Sequence, residues 1–501
     1  MNYILILLFT AYVIRTMRNL AYHLAWWWIK EYRIDRMLVH VRETSQGRRW
    51  MFGPFSTLKT FLIIIFLLVP GRLTIMNVDG FTLAVTALYS YETIRNFIEL
   101  RRRWKIPPVT VRSMSLVIIS SVTLIFIFLS VPIDSVAFSL LLTDKTLGFV
   151  VVGWVFISNR IFNLHKRRVI EEARRKISRY PGLRVIAVTG SYGKTTTKEI
   201  IAQLLSAKHR VAKSFGTKNT DIGIAERILQ SNLNSIDYFV CEVGAYHPGE
   251  IKSALSIFGD KIHRAVITGI NEQHQSLFGS LETTMRVKYE VVQSMNKDGT
   301  AVFNGESSHM KQVITWAKND KKRALVVMSG DTRLPRHIHA SHFRQNLALA
   351  SSMAKSCGLK EAEMKNALKT LALPPKTMHE TSSRGVTSID DTFNANPESV
   401  YAALDYLKQK KGVKILVLQP LIELGKYADE IHEKIGSRAA EVCDYIILTN
   451  ENWHKPIMRG VSKAKKTKAK IQFAGRLPHL EQGTILFEGK EAEKYLPDFV
   501  L

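Results

Sequence analysis

The chain has 501 residues, of which 46% are hydrophobic, and a formal net charge of +27. Its basic clusters lie beside apolar segments, which favours the cytoplasmic side of a membrane, so we expect no nucleic-acid partner; the clusters are Arg48-Arg49, Arg101-Arg102-Arg103 and Lys166-Arg167-Arg168. The cysteines Cys241, Cys357 and Cys443 lack the spacing of a disulfide framework or a zinc site, as is typical of a reducing cytosol.

Residues 1–163 contain apolar segments close to the 20 or so residues that a membrane-spanning helix needs. They are Asn2–Trp28, Leu58–Met76, Phe81–Leu100, Met114–Val131 and Thr146–Phe162. The basic linkers predict five spans, an outside N-terminus and a multi-pass protein of the cytoplasmic membrane whose remaining domains are cytoplasmic. Four spans are the alternative, because Arg15 and Arg18 interrupt the first segment, which could instead lie in the interface.

Two further features of this region carry charge. Glu92 and Arg95 lie three residues apart in the third segment, where they could pair on one helix face. The stretch from Trp26 to Arg42 is typical of an amphipathic helix that leaves the membrane or lies on its surface. We interpret the region as an anchor, since these charges alone do not make a transport pathway.

A phosphate-binding loop is predicted immediately after the basic helix Leu164–Ser178. The apolar run Leu183–Val188 predicts a buried parallel strand, and it leads through a glycine loop into a helix. In such a loop, backbone N–H groups and the helix N-terminus hold phosphate, the lysine neutralises charge and the following threonine binds Mg²⁺. The candidate residues are Gly190, Ser191, Gly193, Lys194, Thr195 and Thr196.

The loop and the residues that follow it resemble the Mur ligase family. Val188 stands where a general phosphate loop has its first glycine, and T-G-S-x-G-K-T-T is the shortened form that this family carries. Glu242 lies in a segment similar to E-x-G-A-x-H-x-G-E-I of the D-alanyl-D-alanine-adding members, in which the glutamate binds Mg²⁺. The resemblance also implies that Asn219 handles substrate and phosphate, that His274 helps to bind a second Mg²⁺, and that Lys288, fourteen residues later, is a carbamylated metal ligand.

A second α/β unit is expected from the helix Phe343–Cys357 onwards. The run Ile389–Ser399 is similar to the D-D-S-Y-N-A-N-P signature of the same members. By resemblance, Asp391 contacts the ATP ribose, while Asn394 and Asn396 shape the loop that meets the nucleotide. Two positions depart from the family. Lys376 replaces an arginine that contacts the terminal phosphate, and Gln419-Pro420 replaces a Gly-Asp pair.

The apolar segments predict an α-helical transmembrane domain over 1–163. The resemblance implies a Mur ligase ATP-binding domain with a parallel sheet over 164–338 and a Rossmann-like C-terminal Mur ligase domain over 339–501. It implies an ATP- and Mg²⁺-dependent ligase that adds D-alanyl-D-alanine to a cell-wall peptide precursor, either UDP-linked or lipid-linked. The family's UDP-gripping N-terminal domain is not recognisable, since apolar segments occupy its place. A poly-γ-glutamate-type ligase and a non-catalytic nucleotide-binding membrane scaffold are the alternatives.

Overall fold

The computed structural model describes the chain except for residues 1, 45–46, 49–52, 69–73, 76–77, 100–105, 132–134, 217, 272–277, 331, 336–337, 339, 341–342, 384, 465–469, 474–476, 479 and 497–501. The chain forms two compact units, Met1–His165 and Lys166–Leu501.

The first unit is helical. Its described helices are α1 (Asn2–Ile29), α2 (Ile34–Glu43), α3 (Pro54–Leu68), α4 (Gly80–Glu99), α5 (Val111–Ser130) and α6 (Val136–Ser178), and two short strands, β1 (Thr74–Ile75) and β2 (Val78–Asp79), pair antiparallel. The side chain of Thr110 begins α5 by accepting a hydrogen bond from the N–H of Ser113. Helix α6 has 43 residues and passes through the boundary between the units at His165.

Each predicted apolar segment overlaps one of these helices. Three described helices are long and apolar enough to cross a membrane, namely Tyr3–Ile29, Val111–Ser130 and Val136–Ser178. The predicted segment Leu58–Met76 overlaps the shorter helix α3, Pro54–Leu68, and residues 69–73 and 76 of that segment lie outside the described residues. The number of spans therefore stays a prediction.

The second unit begins with a six-stranded sheet in which every strand is parallel to its neighbours, in the order β4-β5-β3-β6-β7-β8. Buried apolar residues fill β3 after Arg184, as its sequence predicts. The strands are β3 (Arg184–Thr189), β4 (Val211–Lys213), β5 (Tyr238–Glu242), β6 (Ile262–Ile267), β7 (Thr300–Asn304) and β8 (Arg323–Val327). The α-helices are α7 (Lys194–Leu205), α8 (Asp221–Gln230), α9 (Glu250–Leu255), α10 (Leu281–Gln293) and α11 (Met310–Asn319).

A second six-stranded sheet follows, in the order β13-β12-β11-β14-β10-β9, and only the edge strand β9 is antiparallel to its neighbour among these described strands. The strands are β9 (His379–Ser383), β10 (Val386–Asp391), β11 (Val413–Leu418), β12 (Tyr445–Leu448), β13 (Lys470–Phe473) and β14 (Gly483–Glu488). The α-helices are α12 (Phe343–Ser356), α13 (Glu361–Leu368), α14 (Pro397–Lys408), α15 (Ala428–Val442) and α16 (His454–Lys463). One continuous apolar core contains buried residues of both sheets, such as Val188 and Leu416.

Candidate functional site

The predicted phosphate loop connects β3 to α7. Gly190 and Gly193 have φ values of +148° and +73°, which are strained for residues with a side chain, and Gly193 directly precedes α7. A Cβ at Gly193 would also lie 2.6 Å from the Oδ1 atom of Asn346. The Ser191 N–H donates to the Gly269 carbonyl at 2.8 Å, which ties the loop to the segment after β6. The loop therefore has a backbone that only glycine adopts easily, at the N-terminus of a helix.

The side chain of Lys194 folds back onto this loop. Its Nζ donates to the carbonyl oxygens of Gly190 at 2.9 Å and Ser191 at 3.2 Å. Desolvation lowers the pKa of Lys194, and the charge of nearby Glu242 opposes that change. The ammonium is therefore held where phosphate oxygens would replace the two carbonyls. Thr196, the other predicted phosphate contact on this helix, is 8% exposed.

Glu242 ends β5 beside the loop and is the centre of a polar cluster. Its side chain accepts hydrogen bonds from the Thr195 hydroxyl at 2.8 Å and from the Asn219 Nδ2 at 3.0 Å. The residue is 1% exposed, and its own N–H donates to the Ser214 hydroxyl at 3.0 Å. Three residues predicted from separate motifs thus meet at the carboxyl ends of parallel strands, where open α/β sheets bind ligands.

Lys198 is a member of this cluster that the sequence interpretation missed. Its fully buried Nζ lies 3.8 Å from Glu242 Oε2 and donates to the carbonyls of Ser214 at 3.1 Å and Gly216 at 3.0 Å. A lysine in the second turn of a helix is ordinarily expected to be exposed. Only the packing of that turn against β4 and β5 shows that Lys198 is buried. Lys198 anchors the segment that carries Asn219, so it positions the cluster.

Lys288 lies on α10 and is 2% exposed. Its Nζ lies 5.7 Å from the centre of the Phe278 ring, and no ion pair is seen for it among the described residues. Burial, followed by the charge of Lys194, lowers the pKa of Lys288 to about 7. Lys288 is therefore a buried lysine whose pKa is lowered in part by the lysine of the phosphate loop. The other predicted ligand of the second metal ion, His274, lies outside the described residues.

The predicted nucleotide-binding residues of the second sheet lie at the end of β10. The N–H of Met378 donates to Asp391 Oδ1 at 3.2 Å, while Asn396 caps α14 by accepting from the Ser399 N–H at 3.0 Å. Asn394 is exposed on the loop between them. The Nδ2 of Asn271 donates to Glu398 in the first turn of α14, so this loop lies on the side of the segment that follows β6.

Asp391 has a buried acidic neighbour that the sequence interpretation also missed. Glu488 ends β14 in register with Asp391 and is 0% exposed. Burial raises the pKa of Asp391 to about 7 and raises the pKa of Glu488 well above its usual range. Both carboxyl groups therefore keep their protons to a higher pH than exposed carboxyl groups do. No motif flagged Glu488, because it becomes informative only when β14 pairs with β10.

The two departures from the family pattern have local partners. Lys376, with a φ of +59°, pairs with Glu493 at 2.6 Å, its ion-pair partner among the described residues. The side-chain oxygen of Gln419 accepts from the Glu491 N–H at 2.9 Å. Among the described residues, no group of three or more His, Cys, Asp and Glu side chains is placed to hold a metal ion. Glu242 and Thr195 offer adjacent oxygens beside the loop.

Two family models match this part of the chain. The Mur ligase middle domain matches residues 188–369, and the Mur ligase glutamate ligase domain matches residues 376–482. The chain belongs to the Mur ligase family. The middle-domain match contains the loop, Glu242 and Lys288, whereas Asp391 and its loop lie in the glutamate ligase match.

Curated relatives of this Mur ligase include two enzymes named UDP-N-acetylmuramoyl-tripeptide–D-alanyl-D-alanine ligase. The one from Haemophilus influenzae is 28% identical over 53% of this chain and 62% of its own length. The one from Bacillus subtilis is 30% identical over 51% of this chain and 60% of its own length. The chain thus spans about three fifths of the length of these relatives.

Solved structures confirm the Mur ligase fold. MurF from Acinetobacter baumannii superposes with a TM-score of 0.60 at 24% identity, covering 66% of this chain and 80% of that one. MurF from Thermotoga maritima in complex with ADP gives a TM-score of 0.56 at 23% identity, covering 67% and 83%. At these identities the likeness concerns the fold.

Proposed function

We propose that this protein is an ATP-dependent carboxylate–amine ligase that joins D-alanyl-D-alanine to a muramoyl-peptide precursor of peptidoglycan. The observation that carries the proposal is the meeting of Thr195, Asn219 and Glu242 beside a phosphate loop whose lysine is Lys194. Relatives that match over about half of this chain are named for this reaction. Their shared name supports the choice of both substrates.

The first step of the reaction needs charge neutralisation more than covalent chemistry. A carboxylate oxygen of the precursor attacks the γ-phosphorus of ATP, the bond to the β-phosphate oxygen breaks, and ADP leaves. Lys194 would exchange its bonds to Gly190 and Ser191 for phosphate oxygens, so its charge is already at the loop when the nucleotide arrives. In the second step the dipeptide amine attacks the acyl carbon, inorganic phosphate leaves, and the amine loses a proton.

The residues beside the loop fit a magnesium ion. The Thr195 hydroxyl and the buried Glu242 carboxylate are 2.8 Å apart, and both are hard oxygen ligands of the kind that Mg²⁺ uses together with phosphates and water. Mg²⁺ held there would neutralise the charge that develops on the phosphates. Asn219 keeps Glu242 oriented by donating to its other oxygen. Asp391, Asn394 and Asn396 would meet the nucleoside, and Lys376 would contribute a cation once it leaves Glu493.

A second magnesium ion is proposed at Lys288 and His274. A lysine can bind a metal ion only after its charge is removed, and carbamylation does this by adding CO₂ to the neutral amine with loss of a proton. Lys288 suits that reaction because it is buried, is not ion-paired among the described residues, and has a lowered pKa. Carbamylated Lys288 would then present a carboxylate-like group to the metal.

We further propose that residues 1–163 hold the protein in the cytoplasmic membrane as a multi-pass domain, with residues 164–338 and 339–501 as cytoplasmic catalytic domains. The three long apolar helices and the basic clusters beside them support this location. We expect the full-length chain to stay in the membrane pellet after alkaline carbonate extraction. Release into the supernatant would contradict the proposal.

The activity is tested by ADP release from purified full-length protein with ATP, D-alanyl-D-alanine and a muramoyl tripeptide in UDP-linked or lipid-linked form. We expect ADP release to need both co-substrates and to be lost in Lys194→Ala. The matched control is Lys311→Ala, which removes an exposed lysine of α11 and should leave turnover unchanged. ATP binding without turnover on any acceptor would overturn the proposal in favour of a scaffold, and turnover with L-glutamate in place of the dipeptide would favour a poly-γ-glutamate-type ligase.

A further inference from the structure

The first unit encloses a cavity of about 1030 Å³. Its walls come from α1, α2, α3, α4 and α6, all of which belong to this unit or begin in it. Five cationic side chains and two carboxylates line it. A cavity with this many charges is unusual inside a helical unit that has membrane-compatible helices, and intramembrane charges of this kind commonly mark a binding site.

Four of the charged side chains form a neutral cluster in the interior. Lys59 Nζ lies 2.6 Å from Glu92 and 3.0 Å from Asp144, and Arg15 Nε lies 2.5 Å from Glu92. Arg15 also pairs with Asp144. The two cations and two carboxylates come from α1, α3, α4 and α6, so the cluster ties these helices together. It also gives Glu92 partners on other helices, whereas the sequence suggested its same-helix neighbour Arg95.

The remaining charged groups of the lining are all cationic: Arg18 on α1, Arg95 on α4 and Lys145 on α6. Lys145 Nζ donates to the Ser56 hydroxyl at 2.8 Å, and the Arg95 guanidinium lies 5.4 Å from the centre of the Phe55 ring. The neutral cluster uses both carboxylates of the lining, so the cavity has three more cations than carboxylates. A lining with more cations than carboxylates favours an anionic ligand, and basic pockets between membrane helices are known binding sites for phosphorylated headgroups.

One wall of the cavity is apolar and reaches the surface of the unit. Helix α2 contributes Ile34, Met37, Leu38 and Val41, whose spacing places them on one helix face. Leu38, together with Phe149 and Val152 of α6, lines the cavity and is exposed on the surface of the unit. A cavity with cations inside and exposed apolar side chains at its edge suits an amphipathic ligand better than a free nucleotide.

We propose that this cavity binds the phosphate-bearing headgroup of a lipid, with the hydrocarbon chain leaving past Leu38, Phe149 and Val152. The identity of that lipid as the lipid-linked form of the muramoyl-peptide substrate rests on the proposed ligase function. The cavity would then bind the substrate, which is the role of the UDP-binding N-terminal domain in the family. Its cations recognise the phosphates, and its apolar wall distinguishes a lipid from a soluble nucleotide.

The test is equilibrium binding of radiolabelled farnesyl diphosphate to full-length protein in phosphatidylcholine nanodiscs, with empty nanodiscs as background. ATP and D-alanyl-D-alanine are omitted, and Lys194→Ala is measured in parallel, so a failure of the ligase proposal leaves this readout intact. We expect unlabelled farnesyl diphosphate to compete, and farnesol and UDP to compete at least tenfold less well. We expect the double variant Arg95→Gln/Lys145→Met to bind at least tenfold more weakly, since each lost charge-assisted hydrogen bond is worth about tenfold.

The matched control is Arg160→Gln, which removes an exposed arginine of the same unit that does not line the cavity. It should bind like the unchanged protein. The variants keep the neutral cluster intact, and equal melting temperatures would show that they are folded. Competition by UDP as strong as that by farnesyl diphosphate would overturn the lipid assignment, and binding that is equal in the double variant and in Arg160→Gln would overturn the cavity as the site.

Discussion

Replacing Lys288 with methionine tests the carbamylation proposal most directly. The substitution keeps a similar apolar stem in a site that is 2% exposed, but removes the amine that would take up CO₂. We expect at least a 100-fold loss of ADP release, because even residues that only support metal ligands cost 10- to 100-fold when they are changed. The Lys311→Met variant, which changes an exposed lysine, should keep full activity.

The pKa of Lys288 sets the pH dependence of this reaction. With a pKa of about 7, about half of the amine is neutral at pH 7, whereas a lysine at the ordinary value of 10.5 is neutral in only about one molecule in 3000. The neutral fraction falls to about one tenth at pH 6 and rises to about nine tenths at pH 8. Added bicarbonate should therefore raise ADP release several-fold at pH 6 and hardly at all at pH 8.

The assay pairs this activity profile with ¹³C NMR of protein equilibrated with ¹³C-bicarbonate. We expect a carbamate carbon signal in the unchanged protein and in Lys311→Met, and none in Lys288→Met. An active Lys288→Met variant would refute the reasoning, and so would the same carbamate signal with and without Lys288. Activity that does not change when CO₂ is removed at pH 6 would have the same consequence.

Three other substitutions test the polar cluster and its surroundings. In Gly244→Ala the new Cβ would lie 2.9 Å from Asn219 Cγ and would displace that side chain. We therefore expect about tenfold more Mg²⁺ to be needed for half-maximal ADP release, and an unchanged requirement would contradict the role of Asn219. Lys198→Met leaves Glu242 and two carbonyls without their buried cation. The free energy of unfolding, measured in urea, should fall by about 3 kcal/mol, and a fall of less than about 1 kcal/mol would refute the positioning role. Lys376→Arg restores the geometry of the family's arginine, so we expect a KM for ATP equal to or lower than that of the unchanged protein, and a tenfold rise would show that Lys376 acts differently.

Much of the ligase half could be predicted because its chemistry is encoded in short contiguous segments. A β-branched apolar run before a glycine loop predicts strand, loop and helix, and Arg184–Thr189 and Lys194–Leu205 have those conformations. Glu242 and Asn219 were predicted from separate segments, and parallel pairing of β3, β4 and β5 brings them to Thr195. Local sequence thus determines the strand, the loop and the helix, and the order of the strands in the sheet brings the polar side chains together.

Residues whose role depends on distant strands or helices could not be predicted in this way. Lys198 and Glu488 look like surface residues in the sequence, and only tertiary packing buries them. The partners of Glu92 could not be predicted either, because Arg15 and Lys59 lie 77 and 33 positions earlier in the chain. The sequence interpretation identified Arg15 and Glu92 within apolar segments, but it did not identify Lys59 and Asp144 as their partners, because that pairing depends on how the helices pack.

The buried pair Asp391–Glu488 gives a prediction about stability and pH. Burial raises the pKa of Asp391 to about 7, while an unfolded aspartate has a pKa near 3.8. Between these values the folded state holds more protons than the unfolded state, so the free energy of unfolding falls as the pH rises from about 4 to about 7. The loss amounts to a few kcal/mol, since one pKa unit corresponds to about 1.4 kcal/mol.

Glu488, whose pKa is also raised, adds to this dependence, so Glu488→Gln should remove the part that Glu488 contributes. The amide can donate a hydrogen bond to Asp391 and accept one from the Ser399 hydroxyl, as Glu488 does at 3.0 Å, without itself ionising. Asp391 stays buried in the variant and keeps a raised pKa, because burial is the main cause of that shift. The variant therefore loses only the contribution of Glu488, whose pKa is raised by burial and by the charge of Asp391. Melting temperatures of the full chain at pH 5 and pH 8 should differ less in the variant than in the unchanged protein, and equal differences would mean that Glu488 does not contribute to the pH dependence.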